Sequence, residues 1–393
     1  MPILPRAEGK AGMRERPGSV NMDKNYNILV LNLGSTSSKV AFFQGDKCVK
    51  KLERSYDMKE LRALKTNDAV LDYYGKIIFD FIDSLDVPME QMDGIAVRGS
   101  GKWGGYKHGA YRLTPEMGEE MYNTSKAGHK GLFTSTVVGA RLSAKYNVPA
   151  YLYDVVPVDE LPLIATINGI QNYRRRGGSH TLNCRAVAIK TAKDMGKDFE
   201  HSTWIVSHLG GGFTTCIIQD NRIIESYNAE EGSFTPERIG RVPGSFLTQL
   251  YTDPKMSREE IDRILRVDCG LYGHLGTSSG IEIEKRIAAG DKKAEIVYQA
   301  MAYQISKDIG ALGAVASGRV DGIILTGGLA HSDMLTGWIT ERVKFIAPVV
   351  RVPGGMEMEA LAGGVARVLA GEEAVNDYDE VGTKRPFQEL EEA

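Results

Sequence analysis

Apolar and polar positions along this chain fall into short strand-like runs and longer stretches of helical period. From Tyr26 the segments NILVLNL, KVAFFQG and VKKLERSY read as three strands, separated by GSTSS and by a turn at Gly45-Asp46. Leu71 to Leu85 (LDYYGKIIFDFIDSL) carries apolar residues at helical spacing. MDGIAVRGSG reads as a buried strand running into a glycine loop, Thr124 to Tyr146 as a helix, and PAYLYDVV as a short strand. A helix is predicted from Ala294 to about Ser317, with Ile296, Ala300, Met301, Ile305, Ile309 and Leu312 on one face. DGIILTGGLAHS then reads as a buried strand ending at Gly327-Gly328. APVVRVPGGMEMEALAGGVARVLAGEE gives a strand, a Pro-Gly-Gly turn and an alanine-rich helix. Gly363-Gly364 inside that helix costs stability relative to alanine, which predicts a close-packed neighbour there.

The opening pattern occurs twice. WIVSHLGGGFTTCIIQDNRIIESYN, from Trp204, aligns with ILVLNLGSTSSKVAFFQGDKCVKKLERS. Each copy leads through a polar residue into Leu-Gly (Asn32-Leu33-Gly34, His208-Leu209-Gly210), then small or hydroxyl residues, a second strand, a Gln (Gln44, Gln219) and a turn. The second Gln sits one residue closer to its Leu-Gly. Two copies half a chain apart predict two α/β domains of similar topology, a duplication and not a repeat array. We place them at residues 26–175 and 176–375, with a disordered extension at 1–25 and an acidic tail at 376–393. The extension has three prolines, basic residues and no apolar h-region, so it reads as a tail or an over-long start upstream of Met22.

Composition narrows the class without naming it. The 393 residues exceed one ordinary core. A net charge of −3 gives no electrostatic reason to expect nucleic acid or an anionic membrane as partner. No apolar run approaches the ~20 residues that cross a bilayer. Cys48, Cys184, Cys216 and Cys269 are scattered without C-x-x-C spacing, which predicts reduced thiols and a cytoplasmic location.

A hairpin tip of glycine and hydroxyl residues offers backbone N–H groups and side-chain hydroxyls to an anion. One such loop is more often only a turn. Two at homologous positions, with a strand ending in Thr-Gly-Gly, point to nucleotide binding. Gly99-Ser100-Gly101-Lys102-Trp103-Gly104 matches G-x-G-x-x-G, but no acidic residue ends a second strand about 20 residues later, so a dinucleotide site is not supported. Arg174 to Arg176 reads as a solvated run, Trp103 as a packing residue and His129 as a packed surface histidine. Arg98 ends a buried strand, where a basic residue needs a partner.

The duplicated hairpin resembles the sugar kinase/Hsp70/actin superfamily, and within it the acetate and butyrate kinase family, with the butyrate branch the better match. The resemblance runs from about Tyr26 to Glu373 on NLGSTSSK (32–39), HLGGG (208–212), EGSFTPER (231–238), GLYGHLGTSSG (270–280), ILTGGLAHS (324–332) and EMEALAGGVARVLAGEE (357–373). It implies a duplicated ribonuclease H-like (actin/Hsp70-type ATPase) α/β fold, two domains with mixed sheets flanked by helices. The N-terminal domain would take the acyl substrate, and the C-terminal domain the nucleotide and a homodimer or larger contact. The implied reaction moves the γ-phosphoryl group of ATP to a short carboxylic acid, giving acyl phosphate and ADP with Mg²⁺. By motif, Arg98, Asp154, His180 and Arg238 (Arg241 the alternative) would be catalytic. Asn32, Ser35, Ser37, Lys39, His208, Gly210, Gly211 and Gly212 would approach phosphates, Gly327 and Gly328 the adenosine, and Glu357 the Mg²⁺. Bland rivals stand beside these: Lys39 as a strand-edge residue, Asp154 as a turn cap. The phosphate-side motifs are intact, whereas the acyl side departs from the family at Lys102-Trp103, the HKGL stretch from His129, Ser179, Ser278-Ser279 and Gly355. The acid is therefore open. A relative acting on another carboxylate, a nucleotide-binding relative without turnover, and a chaperone or filament ATPase are the other readings.

Overall fold

The structure is a computed structural model that describes residues 25–34, 37–57, 60, 63–99, 105–124, 132–171, 173–228 and 230–378. Ser35, Lys102, Trp103, His129, residues 1–24 of the expected extension and most of the expected tail lie outside these residues. Along the chain the strands are β1 (Asn27–Leu33), β2 (Ser37–Gln44), β3 (Lys47–Ser55), β4 (Gly94–Val97), β5 (Ala110–Leu113) and β6 (Ala150–Tyr153). There follow β7 (Thr203–Leu209), β8 (Phe213–Gln219), β9 (Arg222–Tyr227), β10 (Gly322–Gly327), β11 (Val349–Pro353) and β12 (Val375–Asn376). They form one sheet of order β12-β5-β6-β4-β1-β2-β3 and another of order β11-β10-β7-β8-β9.

The duplication reaches individual hydrogen bonds. In each sheet a three-stranded antiparallel meander (β1-β2-β3, β7-β8-β9) continues through a parallel strand beside its first member (β4, β10) and another beyond that (β6, β11). Gln44 pairs with Asn27 and Gln219 with Thr203, so both Gln residues close the same register. Each third strand meets its bulge two residues before that Gln, at Phe42/Phe43 and at Ile217/Ile218. Leu33 pairs with Ser38 but Leu209 with Phe213, so the second loop is one residue shorter. That difference is the one-residue offset seen in the sequence. Asp93 and Asp321, each heading an Asp-Gly-Ile strand start, accept the first N–H of β1 (Asn27, 2.9 Å) and of β7 (Thr203, 2.8 Å). These carboxylates satisfy strand-end donors that no sheet neighbour reaches.

The chain separates into two compact units: residues up to Asp159 together with those from Glu357 onward, and Glu160–Met356. The sequence put the boundary near 175 and kept the last helix, Glu357–Ala370, in the second half. That helix packs on β1 and β4 instead. Its apolar face buries Met358, Leu361, Ala362 and Val365, Tyr26 donates to the Leu369 carbonyl (3.1 Å), and Gly364 sits against the Tyr153 ring.

In the first unit Leu29, Leu31 and Leu33 join a core with the helices Asn67–Ile82 and Leu132–Tyr146. Strand alternation sends Ile28, Val30 and Asn32 to the opposite face, where Glu357–Ala370 lies. In the second unit Ile205 and Leu209 pack with the helix Lys292–Val315, while Trp204 and Val206 pack with the helix Thr181–Asp194. Both β1 and β7 are thus covered on both faces, which is why they read as nearly continuous apolar runs.

Three expectations change. The helix expected over Thr124–Tyr146 runs from Leu132, and Thr124 ends a separate helix, Pro115–Thr124. Ile296 is 66% exposed; the buried stripe of its helix is Ala294, Tyr298, Met301, Ile305, Ile309 and Leu312. Two residues beyond Ala294 lies ~200° around the helix, off that stripe. The arginine run is solvated only at Arg176, which is exposed: Arg174 is buried, and Arg175 makes ion pairs with Glu225 (2.9 Å) and Glu231 (3.0 Å).

A Cβ at Gly364 would lie 2.4 Å from a Tyr153 ring carbon, whereas at Gly363 the nearest group is the Arg367 guanidinium at 3.7 Å. Gly364→Ala is expected to destabilise the first unit by about 1–3 kcal/mol, and Gly363→Ala to stabilise it by about 0.5–1 kcal/mol. Thermal melts of the two variants check the opposite signs; equal shifts would contradict the packing.

Candidate active site

The last inward polar position of β1 is Asn32, which is buried. It is held from two sides. Arg98, just beyond β4, donates through Nη1 to Asn32 Oδ1 at 3.2 Å. Asn32 Nδ2 donates to Glu357 Oε2 at 3.4 Å. One side-chain amide therefore joins a guanidinium and a carboxylate, and the two charges share no direct ion pair among the described residues. Glu357 opens its helix, where the helix dipole favours an anion. Arg98 is anchored by its own backbone, whose N–H donates to the Leu31 carbonyl at 2.9 Å. Three residues singled out in sequences 66 and 259 positions apart thus meet at one strand end.

The loop beyond Asn32 begins with Gly34 N–H donating to the Ser37 carbonyl (2.9 Å), and Ser37 is half-buried at the start of β2. Lys39 lies opposite Asn32 in the ladder and pairs with Glu53 at 3.4 Å. Asp154, at the end of β6, is buried and holds φ +44°, a conformation that costs a non-glycine residue energy. Its N–H donates to the Gly109 carbonyl (3.1 Å) and its Oδ1 accepts from Gly109 N–H (2.7 Å). Both bonds run to a residue 45 positions earlier, across the end of the β5–β6 pair.

In the second unit the polar residue ending β7 is His208, which occupies the register position of Asn32. His180, at the N-cap of the helix Thr181–Asp194, stacks on it with ring centroids 4.3 Å apart and planes 12° from parallel. His180 Nδ1 is 2.8 Å from Thr214 Oγ1 on β8, and that hydroxyl also accepts the His180 backbone N–H at 3.3 Å. His208 Nδ1 lies 2.9 Å from Asn183 Nδ2. The Gly210–Gly212 loop is tied down where Thr235 Oγ1 donates to the Gly211 carbonyl (2.7 Å), so EGSFTPER forms its floor. Gly327 has φ +90°, and a Cβ there would lie 2.5 Å from the Leu209 carbonyl oxygen; Gly328 faces open space.

The structure separates the two arginine candidates. Arg241 donates to Asp308 Oδ1 (2.7 Å) and to the Glu231 carbonyl (2.9 Å). Asp308 is buried and also accepts Ser233 N–H at 2.7 Å. Burial raises its carboxyl above the ordinary range, and Arg241 acts against that shift. Arg241 therefore holds the EGSFTPER segment in place. Arg238 is exposed, its Nη1 donating to the neighbouring Glu237 carbonyl (2.8 Å). Sequence reasoning missed Asn183, Thr214 and Thr235; the H-x-x-N spacing of His180 and Asn183 was a usable signal for the first.

The sequence profile described as the acetokinase family matches residues 149–345. A protein of Caldanaerobacter subterraneus subsp. tengcongensis named probable butyrate kinase 2 is 37% identical, with 90% of this chain and 99% of the relative covered. One from Listeria monocytogenes serotype 4a named probable butyrate kinase is 33% identical over 90% of this chain and all of its own length. Among solved structures, Porphyromonas gingivalis acetate kinase matches with a TM-score of 0.70 at 18% identity, covering 87% of this chain and 100% of that one. A Francisella tularensis propionate kinase matches with a TM-score of 0.67 at 17% identity, covering 86% and 98%. These likenesses show the fold, the duplicated ribonuclease H-like (actin/Hsp70-type) architecture of two mixed sheets expected from the sequence.

Removing the Arg241 guanidinium leaves the buried Asp308 carboxylate short of a partner, which costs about 1–3 kcal/mol. Arg241→Ala is expected to lower the thermal midpoint, and Arg238→Ala to leave it within measurement error. The reverse order would contradict the assignment of Arg241 to structure.

Proposed function

The chain belongs to the acetokinase family, and we propose that it is an ATP-dependent short-chain carboxylate kinase acting on butyrate or a related short or branched fatty acid. The observation that carries this reading is the Arg98–Asn32–Glu357 chain at the rim of a glycine hairpin. It puts a cation for an anionic substrate beside a carboxylate suited to a metal.

An oxygen of the substrate carboxylate attacks the γ-phosphorus of ATP, and the bond from that phosphorus to the β-bridging oxygen breaks. ADP leaves with the electron pair, and the reverse reaction retraces these steps. The substrate is ionised at neutral pH, so no residue needs to take a proton from it. Catalysis then consists of positioning and charge stabilisation. Arg98 binds the carboxylate and spreads the transferring charge, for which a planar guanidinium suits better than an ammonium. Arg238 is the second cation. His180 donates to the transferring group, with its ring aligned by Thr214. Asp154, fixed on its strained turn, sits near the reacting centre. Asn32, Ser35, Ser37, Lys39, His208 and Gly210 to Gly212 bind phosphates, and Gly327 and Gly328 lie against the adenosine, where the open face of Gly328 leaves room.

The described residues contain no group of three or more His, Cys, Asp or Glu side chains that forms a metal cage. A lone carboxylate fits Mg²⁺, which takes one or two carboxylates and completes its shell with phosphate and water. Glu357 would hold it, and its charge offsets that of the phosphates. A cytoplasmic location and a homodimer belong to the same reading. No described helix is long and apolar enough to cross a membrane. The helix Gly244–Thr252 buries none of its residues although it carries Phe246 and Tyr251, which gives a second copy an apolar surface.

Purified protein with ATP, Mg²⁺ and a panel of C2 to C6 acids is expected to give an acyl phosphate that hydroxylamine traps. Arg98→Ala is expected to lower kcat/KM by about 10²-fold or more. No trapped product with any acid would overturn the proposal.

A further inference from the structure

The hydrogen bonds around His208 can be assigned proton by proton from two backbone groups. The Met356 N–H donates to Asn183 Oδ1 at 2.8 Å. A backbone N–H is only a donor, so it fixes the orientation of the Asn183 amide: its oxygen faces Met356 and its NH₂ faces the other way. The Gly354 carbonyl is only an acceptor and lies 3.0 Å from Thr326 Oγ1, so the Thr326 proton goes to it. The Thr326 oxygen then accepts one Asn183 Nδ2 proton at 3.3 Å. The other Asn183 Nδ2 proton faces His208 Nδ1 at 2.9 Å. A ring nitrogen that accepts carries no proton, so the single proton of the neutral ring is on Nε2. That nitrogen is on the loop side: a Cβ at Gly210 would lie 3.2 Å from it.

We propose that Asn183 is a positioning residue that holds His208 as the neutral tautomer protonated on Nε2, aiming an N–H donor at an anion seated on the Gly210–Gly212 loop. The use of that donor on a phosphate rests on the functional reading above; the tautomer does not. Asn183, His208 and Thr326 are all buried, so the arrangement is shielded from water, where an unmatched donor or acceptor is costly. His180 stacks on the same ring, and two stacked imidazolium rings would repel.

The test is ¹⁵N NMR of full-length protein labelled with ¹⁵N-histidine, with His208→Gln identifying the His208 signals. Wild-type protein is expected to show an unprotonated Nδ1 and a protonated Nε2. Asn183→Asp keeps the shape and the acceptor for Met356 N–H but replaces the donor facing the ring by an acceptor. Its His208 is expected to gain a proton on Nδ1. The variant's kcat is expected to fall about 10²–10³-fold, as when one donor to developing charge is lost, with a smaller change in KM for ATP. A wild-type ring protonated on Nδ1, or an unchanged tautomer in Asn183→Asp, would overturn the proposal; the wild-type spectrum decides even if the variant does not fold. A changed tautomer with unchanged kcat would overturn the catalytic use of the donor. The expected wild-type tautomer in a protein that forms no acyl phosphate would count against the functional reading alone.

Discussion

A polar side chain at the end of a strand covered on both faces must be met by partners of its own, or the strand end costs free energy. Asn32 and His208 are the two such residues at matching positions of the duplicated hairpin, and the surrounding architecture answers them in the same way. Each faces the helix that covers its side of the sheet, and each is bonded from that helix's first turn: Asn32 by Glu357, His208 by Asn183. The chain reaches these arrangements by returning a distant helix to each sheet, Glu357–Ala370 to the first and Thr181–Asp194 to the second. The glycine loops begin two residues beyond these anchored positions, so their geometry inherits the rigidity of the sheet.

The duplication also shows where the halves have diverged. The register, the bulge and the Asp-Gly-Ile strand start are common to both. The polar group at the loop entrance is not: an amide between a cation and a carboxylate in one half, a pair of stacked imidazoles in the other. The shared features build the sheet, while the divergent ones carry different charges and proton inventories. That contrast is the divergence on which the proposed function rests: a guanidinium at one loop entrance, imidazoles at the other.

Much of this was legible in the chain itself. The strands around Asn32 and His208 show because their apolar runs are bounded by glycine, and the repeat shows because Leu-Gly and Gln recur at nearly equal spacing. The Gly363-Gly364 pair announced a close contact, though only Gly364 makes it. The rest needed three dimensions. Arg241 and Arg238 differ by three residues in one motif, and only the buried Asp308, far along the chain on another helix, tells which of them is structural. The affiliation of Glu357–Ala370 with the first sheet is a long-range packing choice that local periodicity does not encode. Ile296 misled because a single apolar residue two positions off a stripe shifts the apparent face. Asn183 could be noticed from its spacing to His180, but its orientation is set by the Met356 N–H, 173 positions away, and by Thr326, whose proton goes to the Gly354 carbonyl.

In the proposed reaction a carboxylate oxygen of the substrate becomes bonded to the γ-phosphorus of ATP. Butyrate carrying ¹⁸O in its carboxyl group, incubated with the protein, ATP and Mg²⁺, tests this by ³¹P NMR. The expected product is an acyl phosphate whose phosphorus resonance is shifted by one ¹⁸O in the bridging position, formed together with ADP. An ADP signal accompanied only by unlabelled inorganic phosphate would contradict it.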